Sequence, residues 1–546
     1  MKIALAQINY HIGNFEGNYA GMRAALLEAK NQGAELVVFA ELSISGYPPR
    51  DFLEFDDFIE RCLHWTEKLA EDCIGIAAVV GLPVRNQTGK GKPLFNAALF
   101  LENGKVTSEY HKTLLPNYDI FDEYRYFEPN RDFSLLEYKG LRFAVTICED
   151  LWNIGSNPLY VKNPMKELAK LKPDAVINIA ASPFHYDQEE VRKEVLRDNA
   201  LKYNLPVIYV NHVGAQTELL FDGGSLVMDP KGRVVTELKY FKEDLKIFDL
   251  QELSEGNMPP VEEKKPGMMA LIHDALVMGI RNYFSKLGFE KAILGLSGGI
   301  DSAVTLALAA KALGPENVLA VLLPSGFSSE HSVSDAITLA NNIGCPYEIV
   351  PINEVFEEFR ALLDPIFNDR KIGLTEENIQ ARARGVILMA LSNKFGYILL
   401  NTSNKSEAAV GYGTLYGDMN GGISVLGDVY KTEVFELARF INRDGGIIPE
   451  NSITKPPSAE LRPGQKDTDS LPEYSILDKI LFQYIEMRKG PTDIISMGFD
   501  EKIVRKVLRL VNINEYKRHQ TPPILRVSSK AFGMGRRMPI VARYLS

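Results

Sequence analysis

Ala292-Ile-Leu-Gly-Leu-Ser-Gly-Gly-Ile-Asp-Ser302 decides the fold of the half of the chain that contains it. Ala292 to Leu296 is a short apolar run of the kind a strand buried on both faces shows. Ser297-Gly-Gly299 interrupts it, and an Ala-rich stretch with helical periodicity follows from Ile300 to Leu313. A strand that feeds a helix through a glycine turn opens a β-α-β unit. Upstream, Met268 to Leu287 reads as a helix. Downstream, Val318-Leu-Ala-Val-Leu-Leu323 and Gly396-Tyr-Ile-Leu-Leu400 add strands, separated by helical stretches long enough for parallel crossovers. A parallel α/β domain is expected over residues 267–546.

The first 250 residues are also α/β. Glu35-Leu-Val-Val-Phe39, Ile76-Ala-Ala-Val-Val80, Leu141-Arg-Phe-Ala-Val-Thr-Ile147 and Ala175-Val-Ile-Asn-Ile179 alternate with helical stretches. Asn103-Gly104 and Pro230-Lys-Gly232 each sit between two apolar runs and signal hairpins, so this sheet system is mixed. The polar, Pro-bearing stretch from Glu252 to Pro266 lacks periodicity and is read as a linker between domains 1–251 and 267–546.

Bulk properties narrow the function. Among 546 residues, 61 Lys plus Arg face 71 Asp plus Glu, and the net charge of -10 disfavours broad binding to nucleic acid or anionic membranes. An anionic small ligand therefore needs local donors such as glycine turns and single basic residues. The four cysteines, Cys62, Cys73, Cys148 and Cys345, show neither disulfide nor zinc spacing. Met1 to Tyr10 reads as a strand rather than a signal peptide, and no run is long enough to span a membrane, so a cytoplasmic protein is expected.

Three residues of the first half stand where strands deliver side chains to a site. Glu41 follows Leu36-Val-Val-Phe-Ala40, Lys112 lies in Tyr110-His-Lys-Thr-Leu-Leu-Pro116, and Cys148 follows the strand ending at Ile147. A thiol is an effective nucleophile only as thiolate and needs a nearby base or cation. Glu41 supplies a base, and Lys112 a cation for a developing oxyanion. Glu41-Leu-Ser-Ile-Ser-Gly-Tyr-Pro-Pro49, His111-Lys-Thr-Leu-Leu-Pro-Asn-Tyr118 and Ile147-Cys-Glu-Asp-Leu-Trp152 resemble, in order and spacing, the catalytic segments of the nitrilase superfamily. The resemblance implies an α-β-β-α sandwich in which Glu41 is general base, Lys112 stabilises the oxyanion and Cys148 forms a glutamyl thioester. It further implies that Tyr118, Glu149, Ser182 and Gln188 hold glutamine. Gln188 stands where the family commonly has a basic residue, so the anchor for the glutamine carboxylate is left between Gln188 and Arg192.

Gly295-Leu-Ser-Gly-Gly-Ile-Asp-Ser302 is the second constellation. Backbone N–H groups of such a turn, together with the helix N-terminus, can face a phosphate. Asp301 adds an oxygen ligand suited to Mg²⁺. The loop resembles the pyrophosphate-binding signature of the N-type ATP pyrophosphatases, which implies a Rossmann-like parallel sheet and ATP binding by Gly295, Leu296, Ser297, Gly298, Gly299, Ile300, Asp301 and Ser302. Glu377-Asn-Ile-Gln-Ala-Arg-Ala-Arg-Gly385, Asn401-Thr-Ser-Asn-Lys-Ser-Glu407, Gly417-Asp-Met-Asn420, Leu426-Gly-Asp-Val-Tyr-Lys-Thr432 and Pro457-Ser-Ala-Glu-Leu461 resemble the NAD synthetase branch of that group. Glu515 to Pro523 and Ser529-Lys-Ala-Phe-Gly533 match the end of its glutamine-dependent members. By this resemblance Thr402 contacts ATP; Asn378, Glu407 and Lys530 contact deamido-NAD; Asp301 and Glu407 hold Mg²⁺; and Lys431 reaches the phosphates.

Taken together, the two resemblances imply a ligase. Ammonia released from glutamine in the first half is consumed in the second, where ATP activates a nicotinate carboxylate and AMP and pyrophosphate leave. Expected partners are the small molecules glutamine, ATP and deamido-NAD, with homo-oligomers formed through the second domain. Two other readings stay open at this level: a different carboxylate-bearing acceptor, and a nucleotide sensor without catalysis.

Overall fold

The structure is a computed structural model that describes residues 1–155, 158–262, 266–368 and 370–545. The chain divides into two compact units, Met1–Lys265 and Pro266–Ser546.

Strands of the first unit run in chain order as β1 (Lys2–Gln7), β2 (Leu36–Val38), β3 (Ala77–Arg85), β4 (Leu94–Glu102), β5 (Lys105–His111), β6 (Leu136–Tyr138), β7 (Leu141–Ile147), β8 (Ala175–Ile179), β9 (Val207–Val210), β10 (Val213–Gln216), β11 (Leu219–Asp222), β12 (Leu226–Met228), β13 (Val234–Glu237) and β14 (Asp244–Asp249). They build two six-stranded mixed sheets, β14-β1-β2-β3-β4-β5 and β13-β12-β9-β8-β7-β6, and a hairpin β10-β11. Both sheets contribute to one buried core, in which Val37, Ala98, Phe143 and Ile177 are shut from solvent. Each fully buried Val, Leu, Ile or Phe contributes about 1.5–3 kcal/mol. Helices Phe15–Asn31 and Asp56–Asp72 lie against the first sheet and Gln188–Tyr203 against the second, which completes the α-β-β-α sandwich. Asn103 and Gly104 have φ of 52° and 82° and join β4 to β5 as a tight hairpin, and Pro230 to Gly232 joins the antiparallel pair β12 and β13.

The stretch read as a linker is, up to Val261, folded onto this unit. Asp249 caps a short helix, Leu250–Ser254, whose Leu250 and Leu253 are buried, and the Val261 N–H donates to the Val234 carbonyl at 2.8 Å. Leu250 and Leu253 lie within one helical turn, too short a span to show a period among Glu252, Ser254 and Glu255. Residues 263–265 of the expected linker lie outside the described residues.

The second unit holds β15 (Ala292–Gly295), β16 (Val318–Leu322), β17 (Tyr347–Ile349), β18 (Ile398–Asn401) and β19 (Ile423–Ser424). All pair in parallel in the order β17-β16-β15-β18-β19. Chain order reverses between β15 and β18, and in open parallel sheets ligands bind at the carboxyl ends of strands at such a point. Those ends are Gly295 and Asn401, which lead directly into the glycine turn and Thr402. A helical layer with its own buried cluster, including Leu477, Ile480, Val507 and Val511, follows in the last part of the chain.

Candidate active sites

In the first unit, Glu41 leaves β2 and is fully buried. The chain around it presses on β3 so closely that a Cβ on Gly81 would lie 2.4 Å from the Leu42 nitrogen. Lys112, just past β5, is buried to 1 % exposure. Its Nζ donates to Glu41 Oε1 at 2.6 Å and to Glu123 Oε1 at 2.9 Å. Glu41 Oε1 also accepts from Asn96 Nδ2 at 2.7 Å, and Oε2 from the Ala181 N–H at 2.9 Å. The Tyr47 hydroxyl donates to Glu123 at 2.9 Å. Burial alone would lower the Lys112 ammonium, yet the Glu123 and Glu41 carboxylates outweigh it and hold it well above the usual lysine range.

Cys148 follows β7 at a φ of 41°, in the left-handed region that non-glycine residues rarely occupy. Asp150 ties this bend to the Lys112 segment: Oδ1 accepts from Thr113 and Leu114 N–H at 2.9 and 2.8 Å, and Oδ2 from Ile147 N–H at 3.0 Å. Burial pushes the Cys148 thiol up, the Glu41 charge adds to this, and Lys112 pulls it down. Ionisation of the thiol therefore depends on handing its proton to a neighbour. Beside it, Glu149 accepts from the Tyr118 and Tyr160 hydroxyls at 2.9 and 3.0 Å, and Gln188 Nε2 donates to Ser182 Oγ at 3.3 Å. Glu41, Lys112 and Cys148 thus form one centre, with Tyr118, Glu149, Ser182 and Gln188 on its approaches.

Arg192 is not available as the alternative anchor for a carboxylate. It is buried and makes a two-pronged pair with Asp222 at 3.0 and 2.7 Å, so its charge is already matched. Sequence reasoning missed Glu123, Asn96 and Asp150; each looks like an ordinary residue of a loop, an apolar strand or a turn, and only the tertiary fold brings it to the centre.

In the second unit a cavity of about 310 Å³ opens at the switch point. Gly295, Leu296, Ser297, Gly299, Ile300, Asp301, Thr402 and Glu407 line it. Gly298 and Ser302 frame the turn from behind. Ser302 Oγ accepts from the Ser297 N–H at 3.2 Å and donates to the Gly299 carbonyl at 3.0 Å. Asp301 heads the helix Ile300–Leu313, where anions are favoured. Lys431 Nζ reaches Asp301 Oδ2 at 2.5 Å and Glu407 Oε1 at 3.2 Å, and Asn404 Nδ2 donates to Asp301 Oδ1 at 2.9 Å. The two carboxylates keep Lys431 charged despite its burial.

Asn378 and Lys530 are not among the residues lining this cavity; the Asn378 amide oxygen accepts from Thr414 Oγ1 at 2.8 Å, and the Lys530 carbonyl accepts from the buried Lys405. Arg384 and Lys455 also line the cavity. Burial pushes the Arg384 guanidinium down to about 10, which marks a cation stripped of water and suited to an anionic ligand. Arg384 belongs to a quoted motif but was read there without a role, and nothing local distinguishes Lys455.

Two family profiles match the chain, Carbon-nitrogen hydrolase over residues 2–256 and NAD synthase over residues 272–521. The glutamine-dependent NAD(+) synthetase of Synechocystis sp. is 43% identical over 99% of both chains, and that of Acinetobacter baylyi 45% identical over 99% of this chain and 98% of its own. The chain belongs to the glutamine-dependent NAD(+) synthetases. A solved synthetase of this family, from Acinetobacter baumannii in complex with ADP, aligns over 99% of this chain and 98% of its own, with 42% identity and a TM-score of 0.78. A second, from Cytophaga hutchinsonii, shares the fold with a TM-score of 0.84 at 22% identity. The two family profiles fall one on each compact unit, so each of the two centres sits in the unit whose family chemistry matches its residues.

Proposed function

We infer that the chain makes NAD from deamido-NAD, ATP and glutamine, with AMP and pyrophosphate as products, as the final step of NAD biosynthesis. The observation that carries this is the buried Lys112, held between Glu41 and Glu123 beside the strained Cys148, in a chain whose other unit presents an open glycine turn at a sheet switch point.

In the first unit the Cys148 thiol passes its proton to Glu41 as the sulfur attacks the side-chain amide carbon of glutamine. Lys112 faces the oxyanion that forms. The C–N bond breaks, the nitrogen takes a proton from the Glu41 carboxyl and leaves as ammonia, and water then hydrolyses the thioester to glutamate. Glu149, with Tyr118 and Tyr160, offers a negative pole for the α-ammonium, and Ser182 with Gln188 offers neutral donors to the α-carboxylate. In the second unit the backbone of Ser297 to Ile300 cradles the phosphates while the nicotinate carboxylate oxygen attacks the α-phosphorus and pyrophosphate departs. Ammonia attacks the acyl adenylate and AMP leaves. Freed ammonia kept from bulk water stays an effective nucleophile.

Asp301 and Glu407 fit Mg²⁺: they are hard oxygen donors, and their two charges share the single Lys431 ammonium. Bound there, Mg²⁺ supplies charge neutralisation for the triphosphate. Homo-oligomers through the second unit are supported by Leu362, Ile366, Val386 and Phe395, apolar and exposed on the helices Asn353–Phe367 and Leu374–Phe395. A cytoplasmic setting suits four cysteines that are all free. Among the described residues no helix is long and apolar enough to cross a membrane.

The deciding experiment is Cys148→Ala in the full-length protein. Glutamine-supported NAD synthesis is lost and synthesis from ammonium salts is retained; if both survive undiminished, the nucleophile assignment is wrong.

A further inference from the structure

Asn96 lies within β4, 1 % exposed, among apolar neighbours. Its carboxamide nitrogen is 2.7 Å from Glu41 Oε1 and 3.5 Å from Glu123 Oε2, and its backbone carbonyl accepts from the Lys112 N–H at 2.8 Å. The orientation of the amide is settled by these partners, since the reverse would aim an oxygen at two carboxylates. The other arm, Oδ1, is buried with no hydrogen-bond partner. A buried polar group left unsatisfied calls for an explanation beyond stability, because an apolar side chain would fill the same space without that cost. The explanation sits on the NH₂ arm.

Two carboxylates share one ammonium here, so the three groups carry one proton more comfortably than none. Glu41 receives three close donors, from Asn96, Lys112 and Ala181, which fix both of its oxygens. Glu123 receives Lys112 and Tyr47 closely and Asn96 only at the limit of a hydrogen bond. We propose that Asn96 is a positioning residue of the glutaminase centre, its NH₂ group holding the Glu41 carboxyl, rather than that of Glu123, in place to take the thiol proton. Burial pushes Glu123 up to about 7. The proposal rests on the glutaminase reading of this unit and assigns within it which glutamate is free to take the thiol proton.

The titratable and charged groups around the pair are Glu41 and Tyr47 from the loop after β2, Lys112 after β5, Glu123 at the start of the helix Glu123–Tyr126, Cys148, Glu149 and Asp150 after β7, Tyr160, and His212, whose Nε2 is 2.5 Å from the Glu41 carbonyl. Asn96→Asp keeps the shape but replaces the donor with an acceptor, and Asn96→Leu removes both. Ammonia release from glutamine is measured against pH, and ammonium-supported NAD synthesis in the same protein reports whether the chain is folded. At neutral pH, N96D loses about 100-fold in kcat for glutamine, the size of a general-base defect, with KM within about threefold. Acidification restores part of its rate, because a protonated aspartic acid regains a donor. N96L loses a similar factor with no acid rescue, and the ammonium-supported rate of both variants matches wild type.

A merely structural Asn96 predicts equal losses in both variants at every pH, and that result overturns the proposal, as does an N96D profile that superimposes on wild type. Should N96D fail to fold, Asn96→Ser, too short to reach Glu41, decides the point: kcat for glutamine falls by about tenfold or more with KM held if the NH₂ group positions the carboxyl, and an unmoved kcat overturns the proposal. Cys148→Ala is run alongside. If that variant still releases ammonia from glutamine, the glutaminase reading itself fails, whatever the Asn96 variants do.

Discussion

A Cβ placed on Gly298 would lie 2.1 Å from the carbonyl oxygen of Ser332, and the backbone there has a φ of 77°. Both facts exclude any other residue without displacement of the turn that faces the cavity. Gly298→Ala is therefore expected to weaken ATP binding by about tenfold to 100-fold, the 1–3 kcal/mol typical of overpacking. Equilibrium binding of an ATP analogue measures this, and NAD synthesis from glutamine and from ammonium falls together while glutamine hydrolysis persists. An unchanged affinity would show that this contact does not shape the turn.

Asp301 carries a second prediction. It is the group through which Lys431, Asn404 and the head of the helix Ile300–Leu313 meet. Removing it leaves Lys431 facing the cavity with Glu407 alone and takes away one of the two oxygen donors proposed for Mg²⁺. Asp301→Ala is expected to lower NAD synthesis by about 100-fold or more with either nitrogen source, the scale of losing one preorganised electrostatic group. Full rate with either source refutes the assignment.

How much of this was legible beforehand depends on the range over which each residue acts. The glycine turn after β15 is a local object: strand, turn and helix start are all encoded within a dozen residues, so Ser297 to Ser302 stand in the structure as read. The Asn103-Gly104 hairpin is local in the same sense. Glu123 is not, because nothing near it in sequence says that it will meet Lys112 and Tyr47 in a buried cluster. Asn96 was absorbed into an apolar strand, where a polar residue passes as incidental. Arg192 shows the converse: it stands in the sequence as an alternative carboxylate anchor, but Asp222, 30 residues on, claims it. The stretch from Glu252 reads as linker because one buried leucine, Leu253, among polar residues shows no period.

The pH dependence of the first centre follows from Glu123. Burial, opposed by Lys112 and reinforced by the Glu41 charge, pushes its carboxyl up to about 7. Below that pH it holds a proton, and the cluster of Glu41, Lys112 and Glu123 is neutral. As pH rises through 7 a second negative charge appears beside Cys148 and opposes formation of the thiolate. Glutamine hydrolysis is thus expected to carry a descending component near pH 7 that ammonium-supported synthesis lacks. Glu123→Gln, neutral at every pH, removes that component at a plateau lowered about tenfold or more by the weaker hold on Lys112. The sign for stability is the same: a carboxyl raised above its unfolded value favours the fold at low pH and withdraws that contribution as pH passes its folded value. A glutamine pH profile unchanged in the variant would mean that Glu123 does not titrate in this range.

Gln188 gives the last prediction. It opens the helix Gln188–Tyr203, and its amide reaches Ser182 at 3.3 Å. The cations nearest it on that helix are committed, Arg192 to Asp222 and Lys193 to Glu189 and Glu237 at 2.7 and 2.8 Å. In the proposed binding mode the glutamine carboxylate therefore meets neutral donors. A guanidinium at this position adds a hydrogen bond to a charged partner, about 1.5–3 kcal/mol, against a cost of about 0.3–1 kcal/mol for a cation at a helix N-terminus. The gain is the larger, so Gln188→Arg is expected to lower KM for glutamine by about tenfold with kcat little changed. Glutaminamide, which lacks the negative carboxylate, gains nothing from the substitution. Equal changes in KM for the two substrates, or none for either, would place the carboxylate elsewhere.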